Sequence, residues 1–178
     1  MNIYGHFKTI TSHKALVMKY CFRVGLYKQG ILHDLSKYTP TEFIPGARYF
    51  QGNRSPNNAE REETGLSKAW LHHKGRNKHH FEYWIDYGVK SAGLQGMEMP
   101  TKYVVEMCMD RIAASKTYLK EAYQDSDPLS YYQKSAPYIV IHEKARKQLE
   151  RMLIMLAERG EEETFRYIRQ VVLRRGRA

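Results

Sequence analysis

The fold depends first on a stretch near the amino terminus, Thr11-Ser-His13-Lys-Ala-Leu-Val-Met-Lys-Tyr-Cys-Phe-Arg-Val-Gly25-Leu-Tyr-Lys-Gln-Gly30-Ile-Leu-His33-Asp34-Leu-Ser-Lys37. Apolar residues run through it at helical spacing, and Gly25 divides it into two segments. We expect a first helix from Thr11 or Ser12 to about Gly25 and a second from Tyr27 to about Lys37. The stretch therefore predicts a helical hairpin.

Helical patterns also dominate the rest of the chain, and strand patterns are nearly absent. We expect helices at about 57–70, 81–87, 101–123, 138–158 and 161–174, an irregular excursion at 39–58, a connection at 88–96 and a turn at 125–128. The sequence therefore predicts an all-α fold, with residues 1–178 forming one helical bundle. Within it, the candidate motif residues occupy about 8–123, and extra C-terminal helices occupy about 128–175.

The composition fits a folded, soluble domain. The chain has 178 residues, of which 42% are hydrophobic and 27% charged, so it can bury a core and is not a disordered chain. No apolar run approaches the roughly 20 residues that cross a bilayer, which excludes a membrane-embedded class. The N-terminus lacks the pattern of a signal peptide, and two cysteines are too few for a disulfide framework. We therefore expect a cytoplasmic protein.

The net charge of +10 predicts a surface that attracts anions, either phosphorylated small molecules or nucleic acid. Part of the excess lies in the tail 165–177, which carries five arginines and no acid. We interpret this tail as a solvated basic helix end. Nucleic-acid contact is the alternative, although no recognised binding module accompanies the tail. The Tyr83–Tyr87 segment and the Tyr131-Tyr132 pair could form an interface in a homo-oligomer.

Three residues of the hairpin are candidate metal ligands. If the two helices are antiparallel, His13 and His33 each lie about 15 Å from the turn at a rise of about 1.5 Å per residue, so they become neighbours. In a continuous helix Asp34 would point about 100° away from His33. It could then reach the same ion only at the edge of the site, or it could bridge two ions.

Asp110 is a second candidate carboxylate, because it lies in an apolar stretch that we expect to form a buried helix. A buried acid needs a partner, since an unpaired charge is costly to desolvate. A metal ion would serve. An ion pair with Arg111 or Lys102, or a solvent-facing position, would also explain the residue.

A dense histidine block follows the hairpin, with His72, His73, His79 and His80 inside nine residues. Gly75 predicts a bend that could converge two imidazoles, although not all four can face one ion. We favour His73 and His80 as ligands, with His72 and His79 as alternatives. The block could instead hold substrate or structure. His6 and His142 have no such neighbours, so we expect surface or packed histidines there.

The ordered set His13 … His33-Asp34 … Asp110 resembles the signature of the HD superfamily of metal-dependent phosphohydrolases. The run His33-Asp34-Leu-Ser-Lys37 is similar to a form common in that superfamily, and the histidine block resembles the extra ligands of its binuclear branches. The whole pattern also resembles a small HD-like family whose members have no assigned substrate. The resemblance covers about residues 13–110 and implies a helical bundle of the HD-domain type.

The resemblance implies a metal held by His13, His33, Asp34 and Asp110, and a second ion held through Asp34 and the histidine block. Mixed nitrogen and oxygen ligation suits one or two ions of Mn, Fe, Co, Ni or Zn. The implied activity is hydrolysis of a small phosphorylated substrate by a metal-activated water, with Lys37 contacting a phosphate oxygen and Arg111 or Arg76 assisting. Two alternatives stay open: a nucleic-acid-associated protein without catalysis, and a di-iron oxygenase on the same ligands.

Overall fold

Helices form nearly all of the structure, a computed structural model that describes residues 1–88 and 93–175. They are α1 (Ile3–Val24), α2 (Tyr27–Leu32), α3 (Pro40–Arg48), α4 (Pro56–Thr64), α5 (Lys68–Lys74), α6 (Thr101–Leu119), α7 (Asp127–Ser135), α8 (Glu143–Tyr167) and α9 (Leu173–Arg175). Strands β1 (Ile85–Tyr87) and β2 (Leu94–Gly96) form a small antiparallel pair. The all-α prediction is confirmed. In the described ranges, no helix combines the length and the apolar character that a membrane span needs.

The core lies where α1, α6 and α8 pack together. Its fully buried side chains include Val17, Cys108, Ile112, Leu149 and Leu153. The C-terminal helix α8 therefore shares one apolar core with the helices that carry the candidate ligands. Helix α1 also packs against α2 and α3, and α3 packs against α5, so α1 joins the core to the helices that carry the candidate ligands.

Both cysteines lie in this core. Cys21 on α1 and Cys108 on α6 have no exposed surface. Burial raises the pKa of Cys108 to about 12, and it also raises the pKa of Cys21. Because the thiolate is the reactive form, we expect iodoacetamide to modify neither residue in the folded protein and both after unfolding in guanidinium. Mass spectrometry measures this, and modification of either thiol in the folded state would contradict the packing.

The first half of the chain differs from expectation at two helices, α1 and α3. Helix α1 begins at Ile3, because the Asn2 side chain accepts a hydrogen bond from the Gly5 amide at 2.8 Å, and the expected caps at Thr11 and Ser12 lie inside the helix. The expected excursion after residue 39 contains α3. Pro40 occupies the first turn of α3, where proline is favourable.

The middle and end of the chain show further differences. The expected helix 57–70 divides into α4 and α5 at Gly65, which has a φ of 82°. The aromatic stretch after residue 80 forms a short 3-10 turn and then β1, and the expected connection contains β2, although 89–92 lie outside the described residues. Helix α7 was not predicted, and α8 begins at Glu143. The break expected at Gly160 is confirmed by its φ of 75° and ψ of 177°.

The suggested aromatic interface is wrong at one residue. Tyr132 is 1% exposed and donates a hydrogen bond to Glu150 at 2.8 Å, so it belongs to the core. Tyr87 and Tyr131 are exposed, as an interface would require. In the basic tail, Arg166, Arg169 and Arg174 are exposed, as expected of a solvated helix end. The Arg175 side chain and Arg177 lie outside the described part.

Candidate metal centre

The hairpin of α1 and α2 brings the first two histidines together. Gly25 has a φ of 89° and reverses the chain between the helices. Gly30 lets the helices approach closely, because a Cβ at this position would lie 3.0 Å from the Cys21 Cβ. The ring centroids of His13 and His33 are therefore 5.7 Å apart, although twenty positions separate the residues in the chain.

Asp34 is directed by a break in the helix that we did not expect. Helix α2 ends at Leu32, and His33 has an extended ψ of 128°. Asp34 then adopts a left-handed conformation with a φ of 54°, which aspartate tolerates better than most residues. Lys14 donates to the carbonyl of His33 at 2.8 Å and so stabilises the helix end. The break turns the carboxylate of Asp34 toward the imidazole of His33, and the expected divergence of about 100° is wrong.

The first ligand grouping consists of His13, His33, Asp34 and Asp110. His13 Nε2 lies 3.0 Å from Asp110 Oδ1 and 3.8 Å from Asp34 Oδ2. His33 Nε2 lies 3.3 Å from Asp34 Oδ2 and 3.5 Å from Asp110 Oδ1. Ligand atoms at about 2.1 Å from one ion can be at most about 4.2 Å apart, so these four distances suit a single transition-metal ion.

The alternative partners considered for Asp110 do not pair with it. The Arg111 guanidinium lies over the ring of Tyr132, 5.5 Å from its centroid, and Lys102 lies over the ring of Tyr103. Asp110 instead contacts the two histidines of the grouping. Its side chain is 17% exposed, so it lies at the solvent side of the centre.

The second grouping consists of Asp34, His73, His79 and His80. His73 lies on α5, and the other two histidines follow in the turn after Gly75. His73 Nε2 and His79 Nε2 lie 3.3 Å and 3.5 Å from Asp34 Oδ1. The structure thus brings both His79 and His80 to the centre. His72 belongs to neither grouping, and its Nδ1 donates to Glu42 at 2.6 Å.

Asp34 is common to both groupings. Its Oδ2 faces the first grouping and its Oδ1 faces the second. Lys37 also approaches this carboxylate, with its Nζ 2.5 Å from Oδ2 and its side chain 27% exposed. One carboxylate therefore lies between two sets of imidazoles, which is the arrangement of a bridging ligand.

In the described residues, ten buried side-chain atoms make no well-aligned hydrogen bond, and six of them belong to this centre. They are both carboxylate oxygens of Asp34 and the Nε2 atoms of His13, His33, His79 and His80. Lys37 is close to one of these oxygens, but it leaves the imidazole nitrogens without a partner. A buried polar atom without a partner costs roughly 1–3 kcal/mol, and a cation bound between these atoms would offset that cost.

The charges of the centre favour metal binding. Burial opposes ionisation of Asp34, but His33 and Lys37 outweigh it and hold the pKa of Asp34 well below its usual range. Burial likewise opposes ionisation of Asp110, yet the close imidazoles of His13 and His33 keep its pKa well below the usual value. Both residues are therefore carboxylates at neutral pH, the form that binds a cation.

The histidines differ in charge. Burial and nearby positive charge lower the pKa of His13, and they lower the pKa of His80 well below its usual value, so both are neutral imidazoles. Burial would also lower the pKa of His33, but the neighbouring carboxylates, Asp34 first, raise it well above the usual value. A proton on His33 therefore balances the negative charge of the centre when no metal ion does so.

Two carboxylates that we did not predict orient the histidines. Glu106 Oε1 accepts from the Nδ1 of His33 at 3.0 Å and lies 3.2 Å from the Nδ1 of His79. Glu42 accepts from the Nδ1 of His73 at 2.7 Å as well as from His72. For Glu106 a signal existed: it is an acid in an apolar helix, one turn before Asp110 and on the same face. Nothing comparable marks Glu42.

The two remaining histidines lie outside the centre, as expected. His6 is packed between aromatic rings, with its centroid 5.2 Å from that of Phe43. His142 caps α8, where its Nδ1 accepts from the Lys144 amide at 3.2 Å.

Single histidine replacements should separate the two groupings. We expect His13→Ala and His80→Ala each to retain about one ion per chain, and the double variant to retain neither, because each residue serves one grouping only. Elemental analysis of purified protein measures the content, with His142→Ala as the control that keeps both. Unchanged content in both single variants would contradict the ligand assignment.

Comparison with known proteins gives one result. The chain belongs to a family of unknown function (DUF5662). The match covers residues 2–155, which include every residue of both groupings and both orienting carboxylates. No curated protein and no solved structure matches significantly.

Proposed function

We propose that this protein is a metal-dependent hydrolase of a phosphorylated substrate, a nucleotide or another phosphate ester, related to the HD superfamily. The observation that carries the proposal is Asp34, whose two oxygens face separate sets of nitrogen and oxygen ligands. Two ions sharing a carboxylate are common in enzymes that cleave phosphate esters. The order of ligands along the chain, His13 … His33-Asp34 … Asp110, further supports the proposal.

The donor set fits transition metals. Imidazole nitrogens and carboxylate oxygens without thiolate suit Mn, Fe, Co, Ni and Zn. One ion would be held by His13, His33 and Asp110, and the other by His73, His79 and His80. Asp34 would bind both ions. Bound there, such ions lower the pKa of water and polarise a phosphoryl oxygen.

Positive charge around the centre supports a phosphorylated substrate. Lys37 is partly exposed beside Asp34. Burial opposes its charge, but Asp34 and Asp110 outweigh burial and raise the pKa of Lys37, so the side chain is an ammonium that can contact a phosphate oxygen. We assign it that role.

A second basic feature lies close by. A cleft of about 210 Å³ opens beside His79 and Glu106, and its rim carries Lys28, Arg76, Lys78 and Lys102. Among the described residues, no carboxylate lies within ion-pair distance of these four cations. Unneutralised cations around a concavity attract anions, so this cleft is a suitable place for another charged part of the substrate.

The test is elemental analysis of protein purified without chelator, followed by a screen of nucleotides and phosphate monoesters with each of the five metals. We expect about two ions per chain and metal-dependent release of phosphate from at least one substrate. Iron with oxygen consumption would favour the di-iron oxygenase instead. Absence of bound metal, together with nucleic-acid binding that weakens steeply with salt, would favour the non-catalytic alternative.

Lys37→Gln separates metal binding from substrate binding. Because the ammonium is assigned to a phosphate oxygen, we expect unchanged metal content and a loss of kcat/KM of about 10- to 100-fold, the value of a charged hydrogen bond. Lys134→Gln on α7, a lysine outside both groupings and outside the cleft, is the control. Wild-type kinetics for Lys37→Gln on the identified substrate would remove Lys37 from the site.

A further inference from the structure

Glu106 lies directly behind the centre. It is on α6, and its residue surface is 5% exposed. Its Oε1 accepts from the Nδ1 of His33 and lies 3.2 Å from the Nδ1 of His79. The two imidazoles are held side by side on this oxygen, with ring centroids 4.4 Å apart and planes at 33°. Their Nε2 atoms point the other way, toward Asp34.

The direction of these two bonds determines the tautomers. A carboxylate has no hydrogen to donate, and the Nδ1 atoms of His33 and His79 both lie within hydrogen-bond distance of the same Glu106 oxygen. Each Nδ1 must therefore carry the hydrogen. The Nε2 atom of each ring is left to face a cation, which is how an outer carboxylate usually orients a metal-binding histidine.

The two histidines on Glu106 belong to different groupings. His33 is in the first and His79 is in the second. Glu42 differs in this respect. It accepts from His72 and His73, but only His73 belongs to a grouping, which is the second. Among the described residues, Glu106 therefore supports both groupings and Glu42 supports the second.

His33, His79 and Glu106 also form a grouping of their own that could hold an ion. Such an ion would use the Nδ1 atoms that now donate to the carboxylate. If the Nε2 atoms also bind metal, both rings would have to lose their last proton. Hydrogen bonding explains the 3.0 Å and 3.2 Å distances without that loss.

We infer that Glu106 is a positioning residue that couples the two metal ions, because its single carboxylate oxygen orients one ligand of each. This inference rests on the proposed two-ion centre. Displacement of Glu106 would disturb both ions together, whereas displacement of Glu42 would disturb only one.

The experiment titrates Mn²⁺ into full-length protein stripped of metal, comparing wild type, Glu106→Gln and Glu42→Gln by calorimetry and by elemental analysis after dialysis. A glutamine can accept from only one of the two imidazoles and presents its amide hydrogens to the other. We expect Glu106→Gln to weaken both ions by about 10- to 100-fold, the usual effect of losing an outer carboxylate. Glu42→Gln should weaken one ion by a similar factor and leave the other at the wild-type affinity.

Circular dichroism verifies folding, and Glu106→Asp provides a second variant that keeps the charge. If Glu106→Gln does not fold, the inference stands on Glu106→Asp, which should weaken both ions in parallel and by less. Loss of only one ion in a folded Glu106 variant, or unchanged affinities, would overturn the coupling. The coupling would also be overturned if the wild-type protein bound a third ion that the Glu106→Gln protein did not bind. A wild-type protein that binds no Mn²⁺ would overturn the metal centre itself, and with it this inference.

Discussion

Replacing Asp34 with glycine should remove both metal ions while the helices persist. Asp34 faces both groupings, so no single histidine replacement should have an equal effect. Glycine suits the test because the residue has a φ of 54°, a conformation that glycine adopts without strain. We expect each affinity to fall by at least about tenfold, which leaves little metal after dialysis, together with loss of any hydrolytic activity.

Lys120→Gly is the matched control for this variant. Lys120 has a φ of 52°, the other described non-glycine residue with a positive value, and it lies outside both groupings. Both variants receive the same backbone change, but only one loses a carboxylate. Elemental analysis with circular dichroism measures the outcome. Two ions retained by a folded Asp34→Gly protein would end the assignment of Asp34 as the shared ligand.

Removing the ions from the wild-type protein should lower its thermal stability substantially. The centre places buried carboxylates and imidazoles close together, and bound cations would satisfy the nitrogen atoms that have no hydrogen-bond partner. Metal at about a thousand times its Kd adds about 4 kcal/mol to the free energy of unfolding. For a chain of this length, about 2–4 °C per kcal/mol gives a fall in Tm of about 8–16 °C after chelation.

Calorimetry with and without chelator measures this fall, and added metal should reverse it. The Asp34→Gly protein is the control, because it should hold no metal and its Tm should not respond to the chelator. A change of less than about 2 °C in wild-type protein whose metal has been shown to leave would contradict a structural contribution of the ions.

The helical class could be predicted from local pattern, because helix formation depends on spacing and end signals within a few residues. Helix limits were less certain, since the same residue can start or stop a helix. Pro40 follows the short 3-10 helix Leu35–Tyr38 and begins α3. Asn2 rather than Thr11 caps α1. The β1–β2 pair follows from pairing between separate segments, which the pattern within either segment does not show.

The proximity of His13 and His33 followed from simple chain geometry, because the turn at Gly25 lies near the midpoint of the segment that joins them. The direction of the Asp34 carboxylate could not be predicted from that geometry. It depends on the end of α2 at Leu32 and on a left-handed residue, neither of which helical periodicity indicates. The choice among the four clustered histidines also depends on tertiary structure, because His73 and His79 approach Asp34 while His72 belongs to neither grouping.

By itself, the sequence determined that the chain folds as helices and which side chains could bind a metal, because both depend on residue type and on short-range spacing. Only the tertiary structure decided how those side chains are shared. Packing of α6 against the hairpin places Glu106 and Asp110 on opposite sides of His33, and the turn after α5 brings His79 and His80 to Asp34. Such arrangements arise from contacts between residues far apart in the chain, and these contacts leave no local pattern.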